Sequence, residues 1–81
     1  MKFPLYSIKD DLIGYGVPFA ADNDAVAMRY FKQACSAPES IYAQNKSQFN
    51  LYAIGLFNNE SGEIFSEQTR YVCSALDFEK E

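Results

Sequence analysis

The sequence NLYAIGLFNNESG, residues 50–62, carries the strongest structural signal in the chain. Residues 51–57 are apolar or aromatic, form a run too short for a typical helix, and lead into turn-forming residues that end at Gly62. Because successive side chains of a strand point to opposite faces, this run would present apolar groups on both faces of a sheet. It therefore predicts an inner β-strand followed by a hairpin turn.

The segments around this strand predict three further strands and one helix. Aromatic and β-branched residues mark the strands, which are expected at residues 3–9, 17–21 and 70–76. Residues 10–16, with glycines on both sides of Tyr15, are expected to form a connecting loop. The helix is expected at residues 25–36, because acidic and amide side chains precede it and Pro38 ends it. The strand-strand-helix-strand-strand order predicts one α+β domain over residues 1–76, an antiparallel sheet of about four strands with the helix on one face. Residues 77–81 are expected to form a mobile acidic tail.

A single helix covers one face of such a sheet and leaves the second apolar face of the inner strand open. If side chains alternate strictly, that open face carries Tyr52, Ile54 and Leu56. An apolar patch of this kind is uncommon on a monomer. Two explanations stay open at this point: the sheet curls over itself, or a second copy of the chain covers the patch. We favour a C2 homodimer with these three residues in its interface.

The net charge of −4 is distributed unevenly along the 81 residues. Residues 1–56 contain equal numbers of acidic and basic side chains, so the excess of negative charge lies in residues 57–81. An acidic chain repels a phosphate backbone at long range, which disfavours strong non-specific binding to duplex DNA. The sequence has no long apolar run typical of a membrane helix and no signal-peptide pattern, so we expect a cytoplasmic protein without membrane contact.

The residue types required for common catalytic and metal sites are scarce. The chain has no histidine, and its two cysteines, Cys35 and Cys73, are far apart in sequence and are expected to be buried free thiols. Asp10 and Asp11 are adjacent carboxylates, but neighbouring loop residues of this kind are far more often solvated than bound to Mg²⁺. We therefore expect no metal, no cofactor and no enzymatic activity.

Aromatic residues favour a different function, since six tyrosines and seven phenylalanines are present. Single-stranded nucleic acid binds by stacking its bases on aromatic side chains beside basic groups. Two alternative basic patches, each paired across a dimer, are candidates for such a site. One consists of Arg29 and Lys32 on the predicted helix, and the other of Lys2, Lys9 and Arg70 in the predicted strands. Tyr6 and Tyr71 are the candidates for stacking the bases. In the alternative interpretation, the aromatic residues form the core and a dimer interface, and Arg29 and Lys32 are a solvated helix face.

Several segments, in order along nearly the whole chain, carry a family resemblance. They are YSI at residues 6–8, PFAA at 18–21, NDAVAMR at 23–29, FNLYAIGLF at 49–57 and ALDF at 75–78. Together they resemble the small nonstructural protein of gokushovirus-type Microviridae, which are single-stranded DNA bacteriophages. The turn NNESG at residues 58–62 departs from the Asp-x-x-Thr-Gly pattern that we associate with that family.

The resemblance implies a nonstructural phage protein that acts in the cytoplasm of the infected bacterium. Such proteins are described as binding DNA or as assisting the synthesis of the single-stranded genome, and the resemblance supplies no set of site residues. We expect non-catalytic binding of single-stranded DNA. The alternative is an adaptor that recruits a phage or host replication or assembly protein through its apolar sheet face and acidic C-terminal region.

Overall fold

The computed structural model describes residues 1–78, which form an antiparallel sheet with a helix packed on one face. The strands are β1 (Lys2–Asp10), β2 (Gly14–Tyr15), β3 (Phe19–Ala20), β4 (Phe49–Asn58) and β5 (Ile64–Ser74). The helices are α1 (Asp24–Ser36), α2 (Ile41–Gln44) and two 3₁₀ helices, Lys46–Gln48 and Ala75–Phe78. The predicted α+β fold is confirmed. The sheet has five strands because residues 14–15, expected to lie in a loop, also pair with β1.

The strand order is β2-β1-β4-β5, and β3 pairs with β1 on the same side as β2. The strand predicted from residues 50–57 is therefore an inner strand, with β1 paired on one side and β5 on the other. The last strand begins earlier than predicted, at Ile64, and ends at Ser74. Within it, residues 67–69 bulge out of the pairing with β4, because Arg70 lies opposite Ala53 and Ser66 lies opposite Gly55.

Helix α1 begins where the capping residues predict. The Asn23 side chain accepts a hydrogen bond from the Val26 amide at 2.9 Å, which satisfies one of the unpaired donors of the first turn. The helix buries one stripe of side chains, Ala27, Phe31 and Cys35, against the sheet. On the sheet side the core contains Tyr6, Ile8, Leu51, Ala53 and Cys73.

The residues after β5 also contribute to the core. Ala75 is buried, and the Phe78 ring packs edge-on against Phe31 with 5.6 Å between the ring centroids. Asp77 and Phe78, which the sequence predicts to belong to a mobile tail, lie in the second 3₁₀ helix, where the contact between Phe78 and Phe31 joins the segment to α1. The rest of the predicted tail, residues 79–81, lies outside the described residues.

A β-bulge at Ile54 changes the side-chain alternation of β4. Leu5 of β1 lies opposite Gly55, and Tyr6 lies opposite Ala53, so Ile54 is an extra residue without a partner on β1. Because Leu5 and Tyr6 point to opposite faces of the sheet, Ala53 and Gly55 do too. The expectation of strict alternation through residue 57 is therefore wrong beyond Ala53. The bulge places Tyr52 and Leu56, predicted to share a face, on opposite faces.

Candidate functional site

Three tyrosines form a continuous row on the face of the sheet that α1 leaves uncovered. Tyr15 of β2 lies 5.6 Å from Tyr52 of β4, and Tyr52 lies 5.8 Å from Tyr71 of β5, measured between ring centroids. Both contacts are edge-to-face. Tyr52 alternates with the buried Leu51, so it points away from the helix. The outer two tyrosines are about half exposed, 46% for Tyr15 and 54% for Tyr71.

Lys9 adds a positive charge to this tyrosine row. Its ammonium nitrogen lies 5.4 Å from the centroid of the Tyr15 ring and 5.9 Å from that of Tyr52, within the range of a cation–π interaction. The row holds its shape because short contacts fix β2 to β1. The Gly16 amide donates to the Ile8 carbonyl at 2.9 Å, and the buried Ser7 hydroxyl donates to the Gly16 carbonyl at 2.8 Å.

The environment of Tyr71 favours its neutral phenol. Burial, together with the negative charge of Asp77, raises the pKa of Tyr71 above its ordinary value. The three partly exposed rings, with one ammonium group beside them, provide apolar faces and hydroxyl groups. This is the chemistry that stacks planar ligands such as nucleobases.

An apolar groove lies around the bulge of β4, between residues of β1, β4 and β5. It encloses about 320 Å³ and is lined mainly by apolar groups. The lining residues are Leu5, Pro18, Ile54, Gly55, Ile64, Phe65 and Ser66. Ile64 is 69% exposed, so the hydrophobic surface here is open to a partner.

Tyr6 and Arg70, both predicted to bind nucleic acid, instead join the helix to the sheet. Tyr6 is fully buried, and its hydroxyl donates to Asp24 Oδ1 at 2.7 Å. The Arg70 guanidinium donates to both oxygens of Asp24, at 2.9 and 3.1 Å. A buried ring offers no face to a base, so we remove Tyr6 from the site and assign Arg70 a structural contact with Asp24.

The pKa shifts of Asp24 and Tyr6 agree with this structural role. Hydrogen bonds from Arg70, and then from Tyr6, hold the pKa of Asp24 below its ordinary value. Burial, followed by the hydrogen bond to Asp24, raises the pKa of Tyr6. The carboxylate is therefore charged and the phenol neutral at neutral pH, as a donor–acceptor pair requires.

The other predicted basic residues are dispersed over the surface. Arg29 and Lys32 are exposed on α1, on the opposite side of the sheet from the tyrosine row. Lys2 lies over the Phe65 ring at 5.0 Å, near the end of the sheet. Of the predicted nucleic-acid ligands, the structure therefore brings together only Lys9 and Tyr71.

Two members of the row were not predicted to bind nucleic acid. Tyr52 was assigned to a dimer interface, and Tyr15 was placed in a loop between two glycines. The available signal for Tyr15 was Gly14, whose φ of 122° closes a tight turn that returns the chain to β1 opposite Lys9. Two glycines close together after a strand indicate such a hairpin, but they do not specify which face Tyr15 occupies.

Neither a membrane-spanning helix nor a metal cluster appears in the described part of the chain. No helix within residues 1–78 is long and apolar enough to cross a membrane. The same residues contain no group of three or more His, Cys, Asp or Glu side chains placed to hold a metal ion.

Fold and surface together define a small α+β protein with an exposed aromatic sheet face. The model of the family described as Phage ORF5 protein matches residues 3–78, almost the whole chain. The chain therefore belongs to this family of bacteriophage proteins. No curated protein and no solved structure matches it.

Proposed function

We propose that this phage protein binds single-stranded nucleic acid without catalysis, by stacking bases on the tyrosine row. The observation that carries the proposal is the contact between three partly exposed rings on one open face, with the Lys9 ammonium group beside two of them. Base–aromatic stacking contributes about 1–3 kcal/mol per base. Two or three stacked bases would thus give useful affinity without a large basic surface.

The proposed ligand is single-stranded because duplex bases are already stacked on one another and have no free faces. The net charge of −4 also opposes binding that depends mainly on phosphate contacts. Lys9 lies close enough to the rings to contact one backbone phosphate beside a stacked base. Stacking would therefore supply most of the affinity, and this single charge would supplement it.

We further propose that the bound strand is the phage genome during its synthesis in the cytoplasm of the host bacterium. The family match supports a phage origin. The resemblance to the nonstructural protein of gokushovirus-type Microviridae supports the more specific role in producing single-stranded DNA. In this role the protein occupies the nascent strand and performs no chemical step.

Fluorescence anisotropy of labelled oligonucleotides tests this function. Single-stranded and duplex DNA of equal length are titrated at about 25 mM and about 150 mM salt. We expect binding that favours the single strand and that Tyr71→Ala weakens about fivefold or more, as the loss of one stacked base requires. Tyr30→Ala is the matched control, because Tyr30 is 48% exposed but lies on α1, away from the row. No binding by the folded protein at low salt, or equal losses in both variants, would refute the proposal.

The apolar groove favours a second candidate function, an adaptor for a phage or host replication or assembly protein. Its exposed apolar lining suits a hydrophobic segment of a partner. The acidic residues of the last third of the chain would contribute a charged rim. This adaptor would bind its partner with little dependence on salt. It becomes the leading function if the anisotropy experiment finds no contact with DNA.

A further inference from the structure

A second cavity lies where the start of β1 and the end of β4 meet the segment that leads from β3 into α1. Its volume is about 300 Å³, and it shares no lining residue with the apolar groove or the tyrosine row. The lining residues are Phe3, Ala20, Ala21, Asp22, Tyr30 and Phe57. Three of these residues are aromatic and one carries a carboxylate, so the cavity combines ring surface with a negative charge.

The aromatic residues of this cavity come from two packed layers. Phe3 of β1 lies directly opposite Phe57 of β4, so the two side chains are neighbours on one face of the sheet. Tyr30 belongs to α1, and its ring lies 6.3 Å from that of Phe19, measured between centroids. This contact leaves Tyr30 48% exposed. A ligand in the cavity can therefore contact the Tyr30 ring without displacing a core residue.

Asp22 supplies the negative charge of the cavity. It is exposed and follows the buried Ala21, whose amide donates to the Pro4 carbonyl at 3.2 Å and joins this segment to β1. Asp24 is already bonded to the guanidinium group of Arg70. Within residues 1–78, by contrast, the Asp22 carboxylate forms no ion pair and no hydrogen bond. Its oxygens are therefore available to a cationic ligand.

This combination of groups suits a guanidinium ion. The faces of aromatic rings attract cations, and a planar guanidinium group can stack on a ring while it donates two hydrogen bonds to a carboxylate. We propose that the cavity binds an arginine side chain of a partner protein, with the Tyr30 ring against the guanidinium plane and the Asp22 carboxylate accepting its hydrogen bonds. The volume is at the lower end of the range for ligand sites, about 300–1,000 Å³, as a single side chain requires.

The charge of the chain favours a basic protein partner over the other occupants. A net charge of −4 attracts basic proteins at long range and repels both the phosphates of nucleic acid and a second copy of the chain. The site also does not depend on nucleic-acid binding. Phe57 is five positions from Tyr52 along β4, roughly 17 Å, so the cavity is separate from the central ring of the tyrosine row.

Nuclear magnetic resonance titration of the ¹⁵N-labelled full chain tests the site. The probe is the peptide acetyl-Gly-Arg-Gly-amide, and the control is the same peptide with citrulline, which keeps the shape of arginine without its charge. Because one side chain is bound, we expect a dissociation constant of about 1 mM or weaker. Saturable shifts should centre on the amides of residues 20–22, 30 and 57. The citrulline peptide should bind about threefold more weakly or worse, as the loss of the cation requires.

Variants of the cavity distinguish its charge from its ring surface. Asp22→Asn removes the charge, and Tyr30→Leu removes the ring but keeps an apolar side chain. Each should weaken binding of the arginine peptide about threefold. Asp11→Asn is the matched control, since Asp11 is an exposed carboxylate at the other end of β1, and it should leave the affinity unchanged. The amide spectrum of each variant verifies that it is folded.

Four results would overturn the proposal. They are the absence of saturable shifts at the cavity up to about 20 mM peptide, equal affinity for the citrulline peptide, equal losses in Asp11→Asn and Asp22→Asn, and tighter binding of deoxyguanosine monophosphate than of the arginine peptide. The last result would assign the cavity to a nucleotide instead. Because none of these titrations uses an oligonucleotide or changes the tyrosine row, their failure is distinct from failure of the proposed function.

Discussion

Tyr6 and Tyr71 differ in role although their sequence settings are alike. Each lies in a strand with a basic residue nearby, so the sequence made both candidates for base stacking. In the structure Tyr6 is fully buried and bonded to Asp24, whereas Tyr71 is 54% exposed in the tyrosine row. The difference depends on which strand face α1 covers, and this is set by packing between distant segments rather than by the neighbours of each residue.

Removing the Tyr6 hydroxyl should affect stability and not binding. Tyr6→Phe keeps the buried ring and removes its hydrogen bond to Asp24, so we expect a loss of about 1–2 kcal/mol in the free energy of unfolding. Urea denaturation measures this loss, and anisotropy with single-stranded DNA should give an unchanged dissociation constant for the folded variant. A large loss of DNA affinity without a loss of stability would return Tyr6 to the binding site.

Asp24 should make stability dependent on acidic pH. Its pKa is lower in the folded protein than in the unfolded chain, because Arg70 and Tyr6 donate hydrogen bonds to the carboxylate. The stabilisation is therefore complete above the unfolded-state pKa of about 3.9 and is lost as the pH falls through the lower folded-state value. Asp24 and Arg70 are partly exposed, so solvent screening keeps the effect small, about 1 kcal/mol or less for the ion pair.

The pH effect is measured as the urea midpoint between about pH 7 and about pH 2 for the unmodified protein and for Asp24→Asn. The variant should be less stable at neutral pH, and the difference between the two proteins should shrink towards low pH. Parallel pH profiles would show that Asp24 does not supply this dependence.

The hairpin of β4 and β5 illustrates what can be predicted about strands. Its existence and its turn followed from the apolar run and from Gly62, which adopts a φ of 79°. The sequence had no signal for the bulge at Ile54. Gly55 lies next to it, but the sequence does not show why a glycine is needed there, because the reason is a contact with the partner strand. A Cβ at Gly55 would overlap the carbonyl oxygen of Phe65. The sequence identified the glycine but not the close approach that requires it.

The two glycines of this hairpin should differ in their tolerance of alanine. Gly55→Ala forces backbone atoms of β4 and β5 apart, and we expect a loss of about 3 kcal/mol in the free energy of unfolding. A Cβ at Gly62 has open space, so Gly62→Ala carries only the strain of its positive φ, about 1–2 kcal/mol. Denaturant unfolding of both variants measures which of them loses more free energy of unfolding. A smaller loss at Gly55 than at Gly62 would contradict the close packing of the two strands.

For the molecule as a whole, the sequence was sufficient for the fold class and insufficient for the site. The capping residues, the inner apolar strand and the turn predicted one helix on an antiparallel sheet. The tyrosine row assembles side chains from β2, β4 and β5, and its composition depends on the strand order and on which face α1 covers. Tyr15 was missed for this reason, and for the same reason the sequence left the helix pair Arg29 and Lys32 as an alternative to the basic residues of the strands.

The charge of the whole protein predicts how binding responds to salt. The net charge is −4, and within the described residues Lys9 is the cation in contact with the row. One or two phosphate contacts give a slope of about −0.7 to −1.4 in a plot of log affinity against log salt concentration for single strands. Anisotropy over a salt series measures the slope. A value steeper than about −3 would indicate a phosphate-binding surface elsewhere, such as that of Arg29 and Lys32.

The most direct test of base stacking compares a single-stranded oligonucleotide with an abasic strand of the same length. The two carry the same phosphate charges, but the second has no bases to stack on Tyr15, Tyr52 and Tyr71. We predict that the abasic strand binds at least about 30-fold more weakly, as the loss of two stacked bases requires. Equal affinity for the two strands would contradict stacking on the tyrosine row as the basis of binding.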